Sequence, residues 1–61
     1  MADRIETWVA TRMVEFKFFL IEKDEKFQVK YGEGDSVVVR KGDIECESTL
    51  SFVQTVAEKV F

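Results

Sequence analysis

The sequence predicts an α+β domain: a small antiparallel sheet of three to four strands flanked by a short N-terminal helix and a C-terminal helix. Three observations support this fold class. Apolar residues recur at helical spacing near both ends of the chain, and in the middle they alternate with polar residues. Short turns separate the alternating segments, and short connections make neighbouring strands antiparallel. A chain of 61 residues is expected to form a single small domain, residues 1–61.

The N-terminal segment, about residues 3–13, is expected to be a helix. Asp3 and Glu6 have the spacing of a capping box. The apolar residues that follow at helical spacing are Ile5, Trp8, Val9 and Met13. A strand is the alternative, because β-branched and aromatic residues are also common in this segment.

Four alternating segments are expected to be strands: 14–21, 27–31, 36–40 and 44–50. In the first, the alternation assigns Phe16 and Phe18 to the core face and Phe19 and Ile21 to the opposite face. In the third, it assigns Val37 and Val39 to the core and Val38 to the opposite face. The connecting turns are expected at 23–26, 32–35 and 41–43, where charged residues and glycines concentrate.

The C-terminal stretch returns to helical spacing. Its apolar stripe is formed by Leu50, Val53, Val56 or Ala57, and Val60. Ser48 or Ser51 is expected to cap this helix at its N-terminus. Phe61 is expected to fold back towards the core.

Composition and charge exclude several classes of function. The chain has twelve acidic and nine basic residues, a net charge of −3 that disfavours a general binder of phosphate backbones or anionic membranes. No apolar run approaches the ~20 residues of a membrane helix, and the N-terminus lacks the apolar stretch of a secretory signal. A lone cysteine suggests a reducing cytoplasm, that of the host cell if the protein is of phage or viral origin.

The absence of histidine argues against catalysis, because neither a Cys–His nor a Ser–His pair can form within the chain. Cys46 lies between Glu45 and Glu47, whose charges disfavour a reactive thiolate, so it is expected to be a buried strand residue. The acidic pairs Glu33/Asp35 and Glu45/Glu47 have the chemistry of a glycosidase or a hard-cation site. The chain is too short to enclose a substrate cleft, so we expect no enzyme, cofactor or metal.

The apolar content, 46% of the residues, is high for so short a chain. A domain of about 60 residues buries only about 60% of its unfolded surface, and a single cysteine leaves oligomerisation as the usual means of added stability. We therefore expect a homodimer with an apolar surface. The alternative is that the two helices cover both sheet faces and bury all of these residues.

The expected function is that of a small non-enzymatic protein that binds a protein partner stoichiometrically, as an acidic regulator or inhibitor of phage or viral type. Apolar anchors and acidic side chains would carry the contact, because charge complementarity speeds association and sets specificity. The candidate anchors are Trp8, Phe19, Ile21, Val38 and Phe61. The candidate acidic residues are Glu33, Asp35, Asp43, Glu45 and Glu47.

Binding of single-stranded nucleic acid is the alternative function. Basic side chains and one aromatic ring near the central hairpin resemble the groups that grip single strands by charge and stacking. They are Lys17, Lys30, Tyr31, Arg40 and Lys41. Neighbouring acidic residues weaken this interpretation, and Tyr31 is in phase with the core positions.

Overall fold

The computed structural model describes residues 4–60, which form seven strands and one helix. In chain order the elements are β1 (Ile5–Ala10), β2 (Val14–Glu15), β3 (Leu20–Ile21), β4 (Lys26–Tyr31), β5 (Ser36–Lys41), β6 (Ile44–Thr49), α1 (Leu50–Val56) and β7 (Ala57–Lys59).

Five strands form one antiparallel sheet in the order β6-β5-β4-β1-β7, and β2 and β3 form a separate two-stranded hairpin. The helix α1 connects β6, at one edge of the large sheet, with β7 at the other edge. The β2–β3 hairpin and α1 pack on the same face of the sheet, because their buried residues join one core with those of the strands. We call the hairpin and the helix together the cover.

The core lies between the sheet and the cover. Its largest fully buried side chains are Ile21 from the hairpin, Val53 from the helix, and Val29 and Val39 from adjacent sheet strands. The remaining buried residues are Trp8, Ala10, Val14, Phe16, Phe27, Val37, Cys46, Val56 and Ala57. Burial of one such side chain contributes about 1.5–3 kcal/mol relative to leaving it exposed.

The expected N-terminal helix is wrong, because residues 5–10 form a strand. β1 pairs with β4 on one side, with Trp8 opposite Phe27, and with β7 on the other, with Ala10 opposite Ala57. Pairing on both sides outweighs the local helical spacing, and the β-branched and aromatic residues fit a pleated surface. Asp3, half of the expected capping box, lies outside the described residues.

The expected strand 14–21 is also wrong, because it folds into two very short strands joined by a tight turn. The turn is closed by Phe16 N, which donates to Phe19 O at 2.9 Å. It breaks the alternation, so that Phe18 is 61% exposed and Ile21 is fully buried. The assignments of these two residues are reversed, while the burial of Phe16 is confirmed.

The three strands β4, β5 and β6, which we call the meander, agree with the sequence-based prediction. Val37 and Val39 are buried and Val38 is half-buried on the other face, as expected. Cys46 is a buried strand residue with a free thiol, which confirms its expected packing. A two-residue turn at 42–43 joins β5 to β6, and Gly42 adopts the positive φ of 62° that it requires.

The C-terminal helix is shorter than expected. It begins after Thr49, whose Oγ1 accepts a hydrogen bond from Phe52 N at 3.2 Å, so the cap is neither Ser48 nor Ser51. It ends at Val56, because the chain continues as β7 and pairs with β1. The molecule is therefore mostly sheet with one helix, and the predicted sheet of three to four strands between two helices is wrong. Phe61 lies outside the described residues.

Candidate functional site

One face of the large sheet carries the cover, and no described element covers the other face, which we call the open face. Strand alternation determines which side chains lie on it. They are Ile5, Thr7 and Val9 of β1, Lys26, Gln28 and Lys30 of β4, Ser36, Val38 and Arg40 of β5, Glu45, Glu47 and Thr49 of β6, and Glu58 of β7.

A groove of about 540 Å³ follows β6 where the open face meets the sheet edge; we call it the β6 groove. Its lining residues are Lys17, Phe18, Val38, Glu45, Cys46 and Glu47. A second groove, of about 280 Å³, shares Val38 and Glu47 with it. A shallow depression of about 70 Å³ on the open face shares Glu45. Each of these three depressions is lined by at least one residue of β6.

β6 is an edge strand, and part of its backbone has no strand partner. Leu50 N donates to Asp35 O at 2.7 Å, which places the ladder bonds of β5 and β6 at the alternate residues Cys46 and Ser48. The N–H and C=O groups of Glu45 and Glu47 therefore point away from β5. Within residues 4–60 they receive only the long contact from Cys46 Sγ to Glu47 O, at 3.5 Å.

The carboxylates of β6, Glu45 and Glu47, are exposed and form no ion pair with a described residue. Glu45 and Glu47 take part in none of the ion pairs of the described residues, which involve Glu6 and Glu25 instead. Arg40 lies opposite Glu45 in the register, but its Nε donates to Gly42 O at 3.0 Å. Glu45 and Glu47 thus form no ion pair among the described residues, and Lys17 is the basic side chain that lines the same groove.

Phe18 supplies the apolar part of the β6 groove. It lies in the β2–β3 turn, and Lys17 Nζ is placed 5.4 Å from the centre of its ring. The sequence-based prediction missed this residue by assigning it to the core. No glycine or proline marks the turn at 16–19, so the alternation gives no sign that it stops there.

The predicted apolar anchors do not form one surface. Trp8 is 5% exposed and Ile21 is fully buried, so neither offers a contact surface, and the expectation that Ile21 faces away from the core is wrong. Phe19 is half-buried and packs on the core, with its ring 5.3 Å from that of Phe16. Among the described anchors, Val38 alone lines the β6 groove. The fifth predicted anchor, Phe61, lies outside the described residues.

The predicted acidic residues divide into two groups. Glu45 and Glu47 lie on β6, and Asp43 is exposed in the turn before it. Asp35 has a structural role, because its two carboxylate oxygens accept from Ser51 N at 3.1 Å and from Ser51 Oγ at 2.8 Å. These bonds attach the first turn of α1 to the β4–β5 turn, where Glu33 is also exposed.

The basic residues of the nucleic-acid alternative are distributed over both faces. Lys30 and Arg40 lie on the open face, and Lys17 lies beside the β6 groove. Tyr31 is half-buried against the core. Lys41 lies on the covered face, where its Nζ donates to Leu20 O at 2.8 Å. These side chains do not form one continuous track.

Comparisons with known proteins identify no relative. No family model, no curated protein and no solved structure matches the chain. Among the described residues there is no cluster of three or more potential metal-ligating side chains. The helix in the described part of the chain is too short to cross a membrane.

A second polar cluster lies at the far end of the sheet, around Glu6. Its Oε2 accepts from Arg4 Nη2 at 2.8 Å and pairs with Lys59 Nζ at 2.9 Å. The Tyr31 hydroxyl, Lys59 and Arg4 together hold the pKa of Glu6 at about 2. The Glu6 carboxylate in turn raises the pKa of Tyr31.

Two enclosed atoms of this cluster, Glu6 Oε1 and Trp8 Nε1, lack a hydrogen bond of ordinary geometry among residues 4–60. Neither Glu6 nor Trp8 lines any of the three grooves described above. The ion pairs of the cluster connect β1 with β7, and we assign it a structural role.

Proposed function

We propose that this chain is a non-enzymatic binding module that holds a basic protein partner stoichiometrically at β6 and the β6 groove. The observation that carries the proposal is that acidic and apolar side chains lie next to each other in the β6 groove. Glu45 and Glu47 have no ion pair among the described residues, and they line the same groove as Phe18 and Val38. Charge and apolar area thus meet at one place.

The two kinds of surface have different effects on binding. Exposed carboxylates attract a basic partner at long range, which raises the association rate and selects against acidic partners. An exposed aromatic ring contributes after contact, because burying it removes apolar area from water. A module of this kind acts by occupying the basic surface of its partner, which is how a stoichiometric regulator or inhibitor works.

The acidic row also bears on self-association. Two copies joined through β6 would place Glu45 and Glu47 opposite the same residues, and like charges directly opposite each other destabilise a strand pair. A homodimer, which the sequence predicts, would therefore use a different surface. The partner held at β6 is instead a different, basic protein.

Selection from a displayed library of short random peptides tests the proposal. We expect the wild-type chain to enrich peptides rich in Lys and Arg, and the double variant Glu45→Lys/Glu47→Lys to lose that enrichment. The matched control is Glu15→Lys/Glu58→Lys, which changes the net charge equally at exposed sites on β2 and β7. Equal loss in both variants, or no basic enrichment by the wild type, would contradict the proposal.

A further inference from the structure

The unpaired backbone of β6 indicates how such a partner is held. We infer that the partner docks by strand addition: an extended segment, basic at every second position and apolar between, pairs with β6 as a sixth strand of the sheet. This inference rests on the proposed function and specifies the conformation and side-chain pattern of the partner.

The backbone supplies the first argument. Glu45 and Glu47 direct their N–H and C=O groups away from β5, and no described strand lies beyond them. Such a row of donors and acceptors is a template for another extended chain. In known modes of strand addition the main-chain hydrogen bonds give affinity, and alternate side chains give specificity.

The side chains on the two faces of β6 supply the second argument. An added strand lies about 4.8 Å from β6, so its side chains fall next to those of the edge strand. On the open face they meet Glu45 and Glu47, which favour Lys or Arg. On the covered face they meet Cys46 and the exposed ring of Phe18, which favour apolar residues.

The other edge of the sheet does not share these properties. β7 has three residues and follows α1 without a connecting loop, so it offers a shorter template. Its outward residues are Ala57 and Lys59, and Lys59 Nζ is paired with Glu6 at 2.9 Å. On the open face β7 presents one carboxylate, Glu58, where β6 presents two. The contrast assigns the added strand to β6.

The glutamates also oppose pairing of this open edge with a second copy of itself. Charged side chains on an edge strand are a common protection against edge-to-edge aggregation. A negative row prevents pairing with another negative row and permits pairing with a positive one. The same two residues therefore disfavour self-association through β6 and select a basic partner.

The test uses a capped synthetic peptide in which Lys alternates with Val, and two variants of one residue. Glu47→Gln removes the charge alone. Glu47→Pro removes the charge and also an outward N–H, without removing a ladder bond to β5, so an edge strand can accept it. We expect Glu47→Pro to weaken peptide binding about tenfold more than Glu47→Gln does.

Equal binding by the two variants, both weaker than wild type, would overturn strand addition while leaving the proposed function intact. An absence of charge-dependent binding in the wild type would overturn both. If Glu47→Pro does not fold, a peptide N-methylated at alternate backbone positions gives the same test on the wild-type protein. Strand addition predicts about a tenfold loss for it, and unchanged affinity would refute strand addition.

Amide hydrogen exchange locates the contact. With the alternating peptide bound, we expect the outward N–H groups of Glu45 and Glu47 to exchange more slowly. The N–H groups of Cys46 and Ser48 already bond to β5, so their exchange should change little. Protection spread equally over all four amides, or absent from the outward pair, would contradict the inference.

Discussion

In the meander of β4, β5 and β6, burial alternates almost strictly along each strand, whereas in the cover it follows no fixed period. Val38 and Val39 show the rule in the meander, since adjacent residues of the same type lie on opposite faces. Leu20 and Ile21 show its limit in the cover, since which of the two is buried depends on the turn before them. In the meander, strand pairing determines which side chains are buried. In the cover, the way the hairpin and the helix pack on the sheet determines which side chains are buried.

The largest expected effect comes from the anchor of the hairpin. Ile21→Ala removes a fully buried side chain and leaves a cavity between hairpin and sheet, so we expect a loss of about 2–5 kcal/mol in the free energy of unfolding. The matched variant Leu20→Ala, at a residue 41% exposed, should cost less than about 1 kcal/mol. Urea denaturation of both variants measures the difference.

A loss of that size would be most of the stability of the chain, since domains of this length are stable by roughly 3–9 kcal/mol. Similar losses in the two variants would mean that the hairpin is not anchored through Ile21. The difference between cover and meander would then be smaller than the structure indicates.

The prediction from sequence succeeded where local pattern and pairing agree. Gly42 and the alternation of residues 36–40 identify the β5–β6 hairpin, and the buried state of Cys46 follows from the same alternation. In the cover the deciding information is not local. The turn at 16–19 has no turn residues, and its closure depends on aromatic packing, with Phe16 5.9 Å from the ring of Phe52 in α1.

The prediction for the N-terminal segment failed for a related reason. Its apolar residues recur at helical spacing, while its β-branched and aromatic residues favour a strand. The deciding contacts are with β4 and β7, far away in sequence. The proposed binding surface was predicted in part, because the acidic row of Glu45 and Glu47 is visible in the sequence. Phe18 was missed, since its exposure depends on a turn that the sequence does not mark.

An intermediate effect is expected at the point where the meander becomes the cover. Thr49 ends β6 and caps α1, so Thr49→Ala should leave Phe52 N without its side-chain acceptor and cost about 1 kcal/mol. That corresponds to a fall in Tm of roughly 4–8 °C. Calorimetry should show Thr49→Ser close to wild type, because serine retains the acceptor.

Thr55→Ala is the matched control on the same helix. Thr55 is exposed, and its Oγ1 donates to Phe52 O at 2.7 Å, a bond that leaves no buried group unsatisfied when removed. We expect a change within about 0.5 kcal/mol. A larger loss from Thr55→Ala than from Thr49→Ala would show that the start of α1 is not fixed by its cap.

The smallest effect is expected at the far end of the sheet, where β1 joins β7 through Glu6. Because the folded protein lowers the pKa of Glu6 from 4.5 to about 2, its ionised form stabilises the fold fully above about pH 4.5. This contribution is lost as the pH falls from 4.5 towards 2. Glu6→Gln should therefore be less stable than wild type at pH 7, and the two should converge near pH 2.

Urea denaturation of both proteins across that range measures the convergence. Glu25 also has a lowered pKa, through Glu22 N and Lys41, but it is present in both proteins and cancels in their difference. Glu15→Gln, at an exposed site on β2, controls for loss of a carboxylate as such. A difference between wild type and Glu6→Gln that stays constant with pH would mean that the ionisation of Glu6 does not stabilise the pairing of β1 with β7. The pairing of β7 with β1 would then depend on its backbone ladder and on the burial of Ala57 in the core.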